Sequence, residues 1–294
     1  MKNISFSLVI AITIFVFFLS GCKAIPDAVI TGQVLYSATS SDLLSQIFIV
    51  DLDSHETKQL TYIGSNESPV WSPDGKQIAF SSDRNGTVNI YIMNADGQNQ
   101  QPLTQCLGNA SSPAWSPDGS RIAFVSDCQK NGNVAIYGID IKTNIITRLT
   151  HDSANYLFPS WSSNGDRIAY TLEDEKFIAH IYIMNTNGTN VTWITNGASK
   201  PIWCPDDTCL LYQLGWGQGY IPKLQVMDLL TGETRPFLSG SNATLFDIFE
   251  WLPTRSPVRG LISFNIGEKF YSMDLKNMRL YPSGLQIYGG SLYP

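Results

Sequence analysis

The sequence predicts an all-β fold, a six-bladed β-propeller with four antiparallel strands in each blade. Two observations carry this prediction. Tryptophan recurs with spacings of 44, 46, 42 and 48 residues, at Trp71, Trp115, Trp161, Trp203 and Trp251. Each interval also holds short alternating segments separated by turn residues, and a period in the forties with this patterning indicates a blade of four strands.

Each repeat begins with a strand that carries the tryptophan, as in SPVWS, and a Pro-Asp-Gly turn follows it. In the first turn Gly75 supplies a positive φ and Asp74 tolerates the reversal. The second strand is QIAFSS, the third is NIYIMN, and the fourth ends in PLT. Asn164 stands in the third turn where Asp74 and Asp118 stand in the first two. We therefore interpret these acids as turn formers rather than as catalytic carboxylates.

The two ends of the repeat region predict how the ring closes. The segments GQVLYSATS, QIFIVDLD and TKQLT precede the first tryptophan repeat and supply strands two, three and four of a blade without its first strand. The segment LQIYGGSLYP is left over at the C-terminal end. We therefore expect the C-terminal strand to join the N-terminal blade, because such closure removes exposed sheet edges.

The N-terminal residues 1–22 predict an export signal. An apolar, uncharged run from Ile4 to Leu19 follows Lys2, and the sequence LSGC ends at Cys22. This ending resembles the bacterial lipobox, in which Cys22 would carry the lipid. The alternatives are an ordinary signal with a chance cysteine and a short membrane anchor.

The rest of the chain is expected to form a short tether, residues 23–29, and a single propeller domain, residues 30–294. Lys23 follows the lipidation site, and this resembles the pattern of lipoproteins sent to an outer membrane. We expect the protein on the periplasmic face of an outer membrane, or on the outer surface of a single-membrane cell. Only the N-terminal lipid is expected to touch the membrane.

The repeat resembles that of the TolB-like β-propellers, a WD-like repeat whose unit reads LT followed by P-x-W-S-P-D-G-x-x-I-A-F. The resemblance covers about residues 30 to 294 and is strongest in residues 60 to 195. Propellers of this family serve as protein-binding platforms, as sugar-active enzymes and as non-catalytic parts of peptidases. The resemblance therefore implies the fold more narrowly than the function.

The composition and the histidines limit the function classes. The net charge is −6, and an acidic chain is a poor nucleic-acid ligand because that binding needs Lys and Arg to neutralise phosphates. His55, His151 and His180 fall in different repeats without zinc-ligand spacing, and no G-x-S-x-G motif occurs. We expect a non-catalytic protein without metal or cofactor. The alternative is a propeller-type enzyme, of the polysaccharide lyase or cyclase class, with a metal in the central channel.

The loops predict where binding takes place. The loops between strands two and three and the blade connections vary in sequence and share one face, which we call the loop face. The short repeated turns share the opposite face. Variable loops on a rigid scaffold are the usual location of recognition. We therefore expect a monomer whose loop face and channel mouth bind an envelope protein or a wall or surface glycan.

Three aromatic residues are candidates for that contact. Trp216 and Tyr220 lie among glycines in LGWGQGYIPK, a composition suited to a protein or sugar surface. The alternative is a loop that packs on its own blade. Tyr156 is a similar candidate with a stronger packing alternative.

Charged residues at the ends of two second strands form a second group of candidates. Asp83 and Asp127 occupy equivalent positions, where a ring of acids could bind a cation. The alternative is a solvated acid or one paired with Arg84.

Four cysteines follow Cys22, and an even number in an exported chain makes disulfides plausible. Cys106 and Cys128 both fall on the loop face, and Cys204 and Cys209 flank one short turn. We expect the disulfides Cys106–Cys128 and Cys204–Cys209.

Overall fold

The structure of the protein is a computed structural model. It describes residues 33–39, 43–51, 54, 56–105, 108–127, 134–151, 154–215 and 223–237, together with the backbone of the strands that lie between residues 261 and 293.

The strands form separate antiparallel sheets. The first contains β1 (Gln33–Thr39), β2 (Ser45–Asp51) and β3 (Thr57–Gln59). The second contains β4 (Asn66–Trp71), β5 (Gln77–Ser82), β6 (Asn89–Asn94) and β7 (Gln101–Pro102), and the third β8 (Ala110–Trp115), β9 (Arg121–Ser126), β10 (Ala135–Asp140) and β11 (Ile146–Arg148). The fourth contains β12 (Asn155–Trp161), β13 (Arg167–Glu173), β14 (Ala179–Asn185) and β15 (Thr192–Asn196), and the fifth β16 (Ala198–Trp203), β17 (Cys209–Leu214), β18 (Lys223–Asp228) and β19 (Thr234–Pro236). The last contains β20 (Leu261–Ile266), β21 (Lys269–Asp274), β22 (Arg279–Tyr288) and β23 (Ser291–Tyr293).

The all-β propeller is confirmed, but the predicted ring of six four-stranded blades is wrong. Five blades of three or four strands follow one another from β1 to β19, and the first of them has three strands. The C-terminal strand does not complete that blade, because β23 pairs with β22 through Tyr288 and Ser291 inside a sheet of its own. Two glycines separate these paired residues. A two-residue glycine connection favours a local hairpin over closure with a strand at the other end of the chain.

The first strand of each four-stranded blade lies nearest the propeller axis. β4 contacts β1 and β8, β8 contacts β12, and β12 contacts β16. The fourth strands β7, β11, β15 and β19 instead contact the third strand of their own blade. The sheets therefore radiate outwards, and their fourth strands form the outer rim.

The first four blades each carry an aromatic pair between the strands that correspond to their second and third strands. Phe80 lies opposite Tyr91 with ring centroids 5.7 Å apart. The same pair recurs as Phe124 with Tyr137 at 5.8 Å. Cross-strand aromatic pairs stabilise antiparallel sheets, and they explain why IAF and IYI recur in register.

Tryptophans fill the space between blades, as the sequence predicts. Trp161 packs with Ile136 of the preceding blade and Ile168 of its own. Its indole N–H donates to the carbonyl oxygen of Ala114 at 3.0 Å, across the blade interface. Trp203 donates in the same way to Ser160 at 3.0 Å. These bonds connect three successive blades.

The Ser-Pro-Asp-Gly segment forms a self-contained turn, which confirms its structural role. Ser72 Oγ donates to Asp74 Oδ1 at 2.7 Å and accepts the Gln77 amide at 2.9 Å. In the third turn Ser162 Oγ donates to Asn164 Oδ1 at 2.7 Å. Asparagine and aspartate offer the same acceptor oxygen, so the turn does not depend on the charge.

Because of these turns, we expect the fold to lose stability as the pH falls into the acid range. The serine hydroxyl holds the pKa of the Asp74 and Asp118 carboxyls below the ordinary value. A carboxyl with a lower pKa in the folded state stabilises the fold above its unfolded pKa, and this contribution is lost as the pH falls through the folded value. We expect the melting temperature to fall below about pH 4, and less steeply in the double variant Asp74→Asn/Asp118→Asn.

Calorimetry from pH 2 to pH 7 measures this effect. Asn164→Asp is the converse variant, because it adds a carboxylate at the equivalent position beside Ser162 Oγ and should make the melting temperature fall more steeply at acid pH. If the melting temperature of the double variant fell at acid pH as steeply as that of the natural chain, the prediction would be contradicted.

In the fifth blade a disulfide takes the place of the hydrogen bond that Ser72 Oγ and Ser162 Oγ accept from the amide five residues later. Cys204 and Cys209 form a disulfide, as predicted, at the positions that Ser162 and Arg167 occupy in the fourth blade. The predicted Cys106–Cys128 bridge lies outside the described residues.

A bulge in each inner strand accommodates a proline. The ladder between β4 and β5 shifts register between Glu67 and Val70, around Pro69. Proline has no N–H for the ladder, and a bulge removes that requirement. The residue before each proline has a left-handed φ, close to +50°: Ser68, Ser112, Phe158 and Lys200.

Candidate functional site

The loop face is fixed by carboxylates that bind the blade connections. Asp83, just after β5, accepts the Ser65 amide at 2.6 Å. Asp127, just after β9, accepts the amide of Asn109 in the same way. Each acid therefore ties a loop between strands two and three to the connection that enters its blade. Neither the predicted ring of acids nor a pairing of Asp83 with Arg84 is needed to explain these positions.

A glycine permits this close approach. Gly64 has φ of +68°, and a Cβ at this position would lie 2.7 Å from Asp83 Oδ1. Both the conformation and the space require glycine here. Gly108 lies against Asp127 in the next blade.

Arg84 is held by neutral acceptors and by aromatic rings. Its guanidinium donates to Asn66 Oδ1 at 2.8 Å and to Gln100 Oε1 at 2.7 Å. It also lies 4.7 Å from the ring centroid of Tyr91. Burial lowers the pKa of Arg84 from its ordinary value, but a guanidinium stays protonated in proteins. These contacts make Arg84 a fastening between the loop and its blade.

An open recess of about 250 Å³ lies beside this loop. Its lining residues come from the loop after β5, from β6, from β7 and from the following blade connection: Asn85, Thr87, Asn89, Tyr91, Pro102, Thr104 and Gln105. Asn85 donates to the Tyr91 hydroxyl at 2.7 Å, and Thr104 donates to Asn89 Oδ1 at 3.0 Å. The recess is polar and uncharged, and these bonds fix two of its walls.

The structure describes only one of the three aromatic candidates, Tyr156. Tyr156 is only 3% exposed and packs with Trp161 and Tyr170 in the core, so it offers almost no surface to a partner. Trp216 and Tyr220 lie outside the described residues, as does Cys22.

The inner strands bring two bulge residues together near the axis. The Lys200 ammonium lies 5.2 Å from the ring centroid of Phe158, and both residues have left-handed φ values. The Lys200 amide donates to Thr171 Oγ1 at 3.0 Å. Bulky residues seldom adopt this conformation, and the hydrogen bond and the ring contact hold it in place.

Sequence reasoning missed a polar network at the outer corner of the fourth blade. His180 Nε2 lies 3.2 Å from Asp174 Oδ2, and His180 Nδ1 lies 2.7 Å from Asn196 Oδ1. The indole N–H of Trp193 donates to the same Asn196 oxygen at 2.9 Å. We call Asp174, Phe177, His180, Trp193 and Asn196 the outer corner. Its residues are up to 22 positions apart, so only the paired strands β14 and β15 reveal the group.

Both ring nitrogens of His180 have a polar partner in the outer corner. Trp193 can only donate, so it orients the Asn196 amide with its oxygen towards the indole. That oxygen lies next to His180 Nδ1, and the Asp174 carboxylate lies next to Nε2. Backbone amides and His180 lower the pKa of Asp174, with the Ile178 amide the largest cause. The arrangement connects the loop after β13 to the outer strand β15 through His180.

The described residues contain no group of three or more His, Cys, Asp or Glu side chains that could hold a metal ion. Within the same residues, no helix is both long and apolar enough to cross a membrane.

Comparison with known proteins gives a family for most of the chain. The family described as TolB beta propeller domain matches residues 24–246. A relative from Agrobacterium fabrum, named as uncharacterized protein Atu1656, is 36% identical over 64 residues, which are 21% of this chain and 22% of the relative.

Solved structures show the same fold at low identity. TolB from Acinetobacter baumannii has a TM-score of 0.67 and 20% identity, over 89% of this chain and 65% of that protein. A putative TolB from Agrobacterium tumefaciens has a TM-score of 0.59 and 21% identity, over 70% of this chain and 80% of that one. An oligogalacturonate lyase in complex with manganese has a TM-score of 0.56 and 16% identity, over 88% of this chain and 77% of the lyase.

Proposed function

Because the chain belongs to the TolB beta propeller domain family, we propose that it is a non-catalytic propeller that binds a protein of the cell envelope through its loop face. The observation that carries this proposal is the anchoring of that face. Asp83 and Asp127 bind the blade connections at the start of equivalent loops in successive blades, and the sequences of those loops differ. A preorganised surface loses less entropy on binding, which favours recognition.

The proposal includes export and anchoring. Residues 1–22 act as a lipoprotein signal, Cys22 carries the lipid, and residues 23–29 are the tether. The motif LSGC after an uncharged apolar run supports this part. The propeller would then stand at the envelope surface as a monomer.

A pulldown from envelope extracts with the full chain as bait tests the loop face. We expect the double variant Trp216→Ala/Tyr220→Ala to recover at least about tenfold less of the partner, because large aromatic anchors dominate binding energies. Asn85→Ala tests the recess in the same assay. Lys142→Ala is the control, since Lys142 lies in an exposed short turn of the opposite face.

The outcomes separate the alternatives. Unchanged recovery with the double variant would contradict the proposed anchors, and binding to purified wall glycan instead of a protein would change the ligand class. Metal analysis after dialysis addresses the enzymatic alternative. A stoichiometric amount of manganese, zinc or calcium would contradict the non-catalytic proposal.

A further inference from the structure

The outer strand of the fourth blade differs from the other described outer strands. Exposed sheet edges are usually guarded by short length, by charged side chains or by proline. Four of the others carry such residues: Lys58 in β3, Pro102 in β7, Arg148 in β11 and Pro236 in β19. The remaining one, β23, has only three residues. β15 has the sequence TWITN, with neither charge nor proline, and its five residues exceed the two or three of the others.

Apolar side chains are exposed around this edge. Trp193 is 53% exposed and Phe177 is 71% exposed. Val191, immediately before β15, is 55% exposed. A bulge interrupts β15, but the strand pairs with β14 on both sides of it. The edge is therefore an ordered strand with exposed apolar residues beside it.

The outer corner fixes the exposed tryptophan. The Trp193 indole N–H is bound to Asn196, which is bound to His180, which is bound to Asp174. Phe177 belongs to the same turn, because its amide donates to the Asp174 carbonyl at 2.9 Å. A large aromatic side chain held in one orientation loses little entropy when a partner covers it.

We propose that β15 and the outer corner bind an extended segment of a partner protein by strand addition. The main chain of the segment would pair with the free side of β15, and an apolar side chain would cover Trp193 and Phe177. The end of β13 and the start of the loop after it have the sequence EDEK, with three acids and one lysine, so the segment should also carry Lys or Arg.

The size of the edge favours such a segment over a second copy of this chain. A five-residue strand is about 17 Å long. Pairing two such edges alone buries far less than the roughly 1,200 Å² of a stable interface. A single extended segment needs only the strand and the adjoining aromatic residues. This site is separate from the proposed loop-face site, so either can fail without the other.

Selection of random ten-residue peptides on the immobilised full chain tests the proposal. We expect enriched peptides to alternate apolar with other residues, to carry Lys or Arg, and to lack proline at their centre. Their binding should fall at least tenfold when alternate main-chain amides of the peptide are N-methylated. Hydrogen exchange of residues 192–196 should slow when the peptide is bound.

Two variants make the test specific. Trp193→Lys gives β15 the kind of charge that the other edges carry and should reduce peptide binding at least tenfold. Ile146→Lys is the control, because Ile146 is a partly exposed residue of the outer strand β11 and should leave binding unchanged. The melting temperature of each variant verifies folding. Peptides that bind Trp193→Lys as well as the natural chain, or the absence of enriched peptides, would overturn the proposal.

Discussion

Trp203→Ala is expected to lower the free energy of unfolding by about 3–5 kcal/mol, the range for removing a large buried aromatic side chain. Trp203 is fully buried between the fourth and fifth blades, where it packs with Ala169, Ile181 and Tyr212. The Arg167 guanidinium lies 4.5 Å from its ring centroid. Alanine would leave a cavity at a blade interface, and the neighbouring sheets are too rigid to fill it. Urea denaturation followed by circular dichroism measures the change.

A pair of conservative variants separates the contribution of the hydrogen bond to the free energy of unfolding from that of the side-chain volume. Trp203→Phe leaves the Ser160 carbonyl without its indole donor. Trp71→Phe removes an indole N–H that is buried and has no hydrogen-bond partner among the described residues. Both lose a similar volume from a buried site, so we expect Trp203→Phe to cost about 1 kcal/mol more. Equal losses would show that the bond between blades contributes nothing.

The strands were predictable from the sequence because each repeat contains its own local signals. Turn glycines, alternating segments and cross-strand aromatic residues all act over a few positions, and β5, β9 and β13 lie where QIAFSS and its counterparts predict them. Ring closure, by contrast, depends on pairing between strands from opposite ends of the chain. It was predicted from a leftover segment, although the two glycines of IYGGSLY already favour the hairpin of β22 and β23.

The candidate site was predictable only in part. The equivalence of Asp83 and Asp127 is visible in the repeat. Their partners are backbone amides, which almost every residue type has, so the sequence does not identify them. Tyr156 is a core residue, which the polar Asn66 at the equivalent position of the repeat does not lead one to expect. It stands five positions before its tryptophan, as do Asn66 and Ala110, and all three are buried. The outer corner is assembled by the pairing of β14 with β15, so in the sequence His180 has no visible connection to Asn196.

Removal of the Cys204–Cys209 disulfide is the second change with a large expected effect. The bond closes a short loop with a sequence separation of 5, for which chain-entropy arguments give about 2 kcal/mol. The double variant Cys204→Ala/Cys209→Ala should lose this amount in urea denaturation. Dithiothreitol should lower the melting temperature of the natural chain by more than that of the variant.

The fourth blade supplies the matched control for this change. There Ser162 Oγ accepts the Arg167 amide at 2.9 Å, between the positions that correspond to the two cysteines. Cys204→Ser/Cys209→Arg should therefore recover about 1 kcal/mol relative to the alanine variant, because the hydroxyl can rebuild the same turn. If the two variants were equally stable, the hydroxyl would not rebuild the hydrogen bond of the fourth blade in the fifth blade. The Ser-Pro-Asp-Gly turn would then differ physically between blades that share one backbone shape.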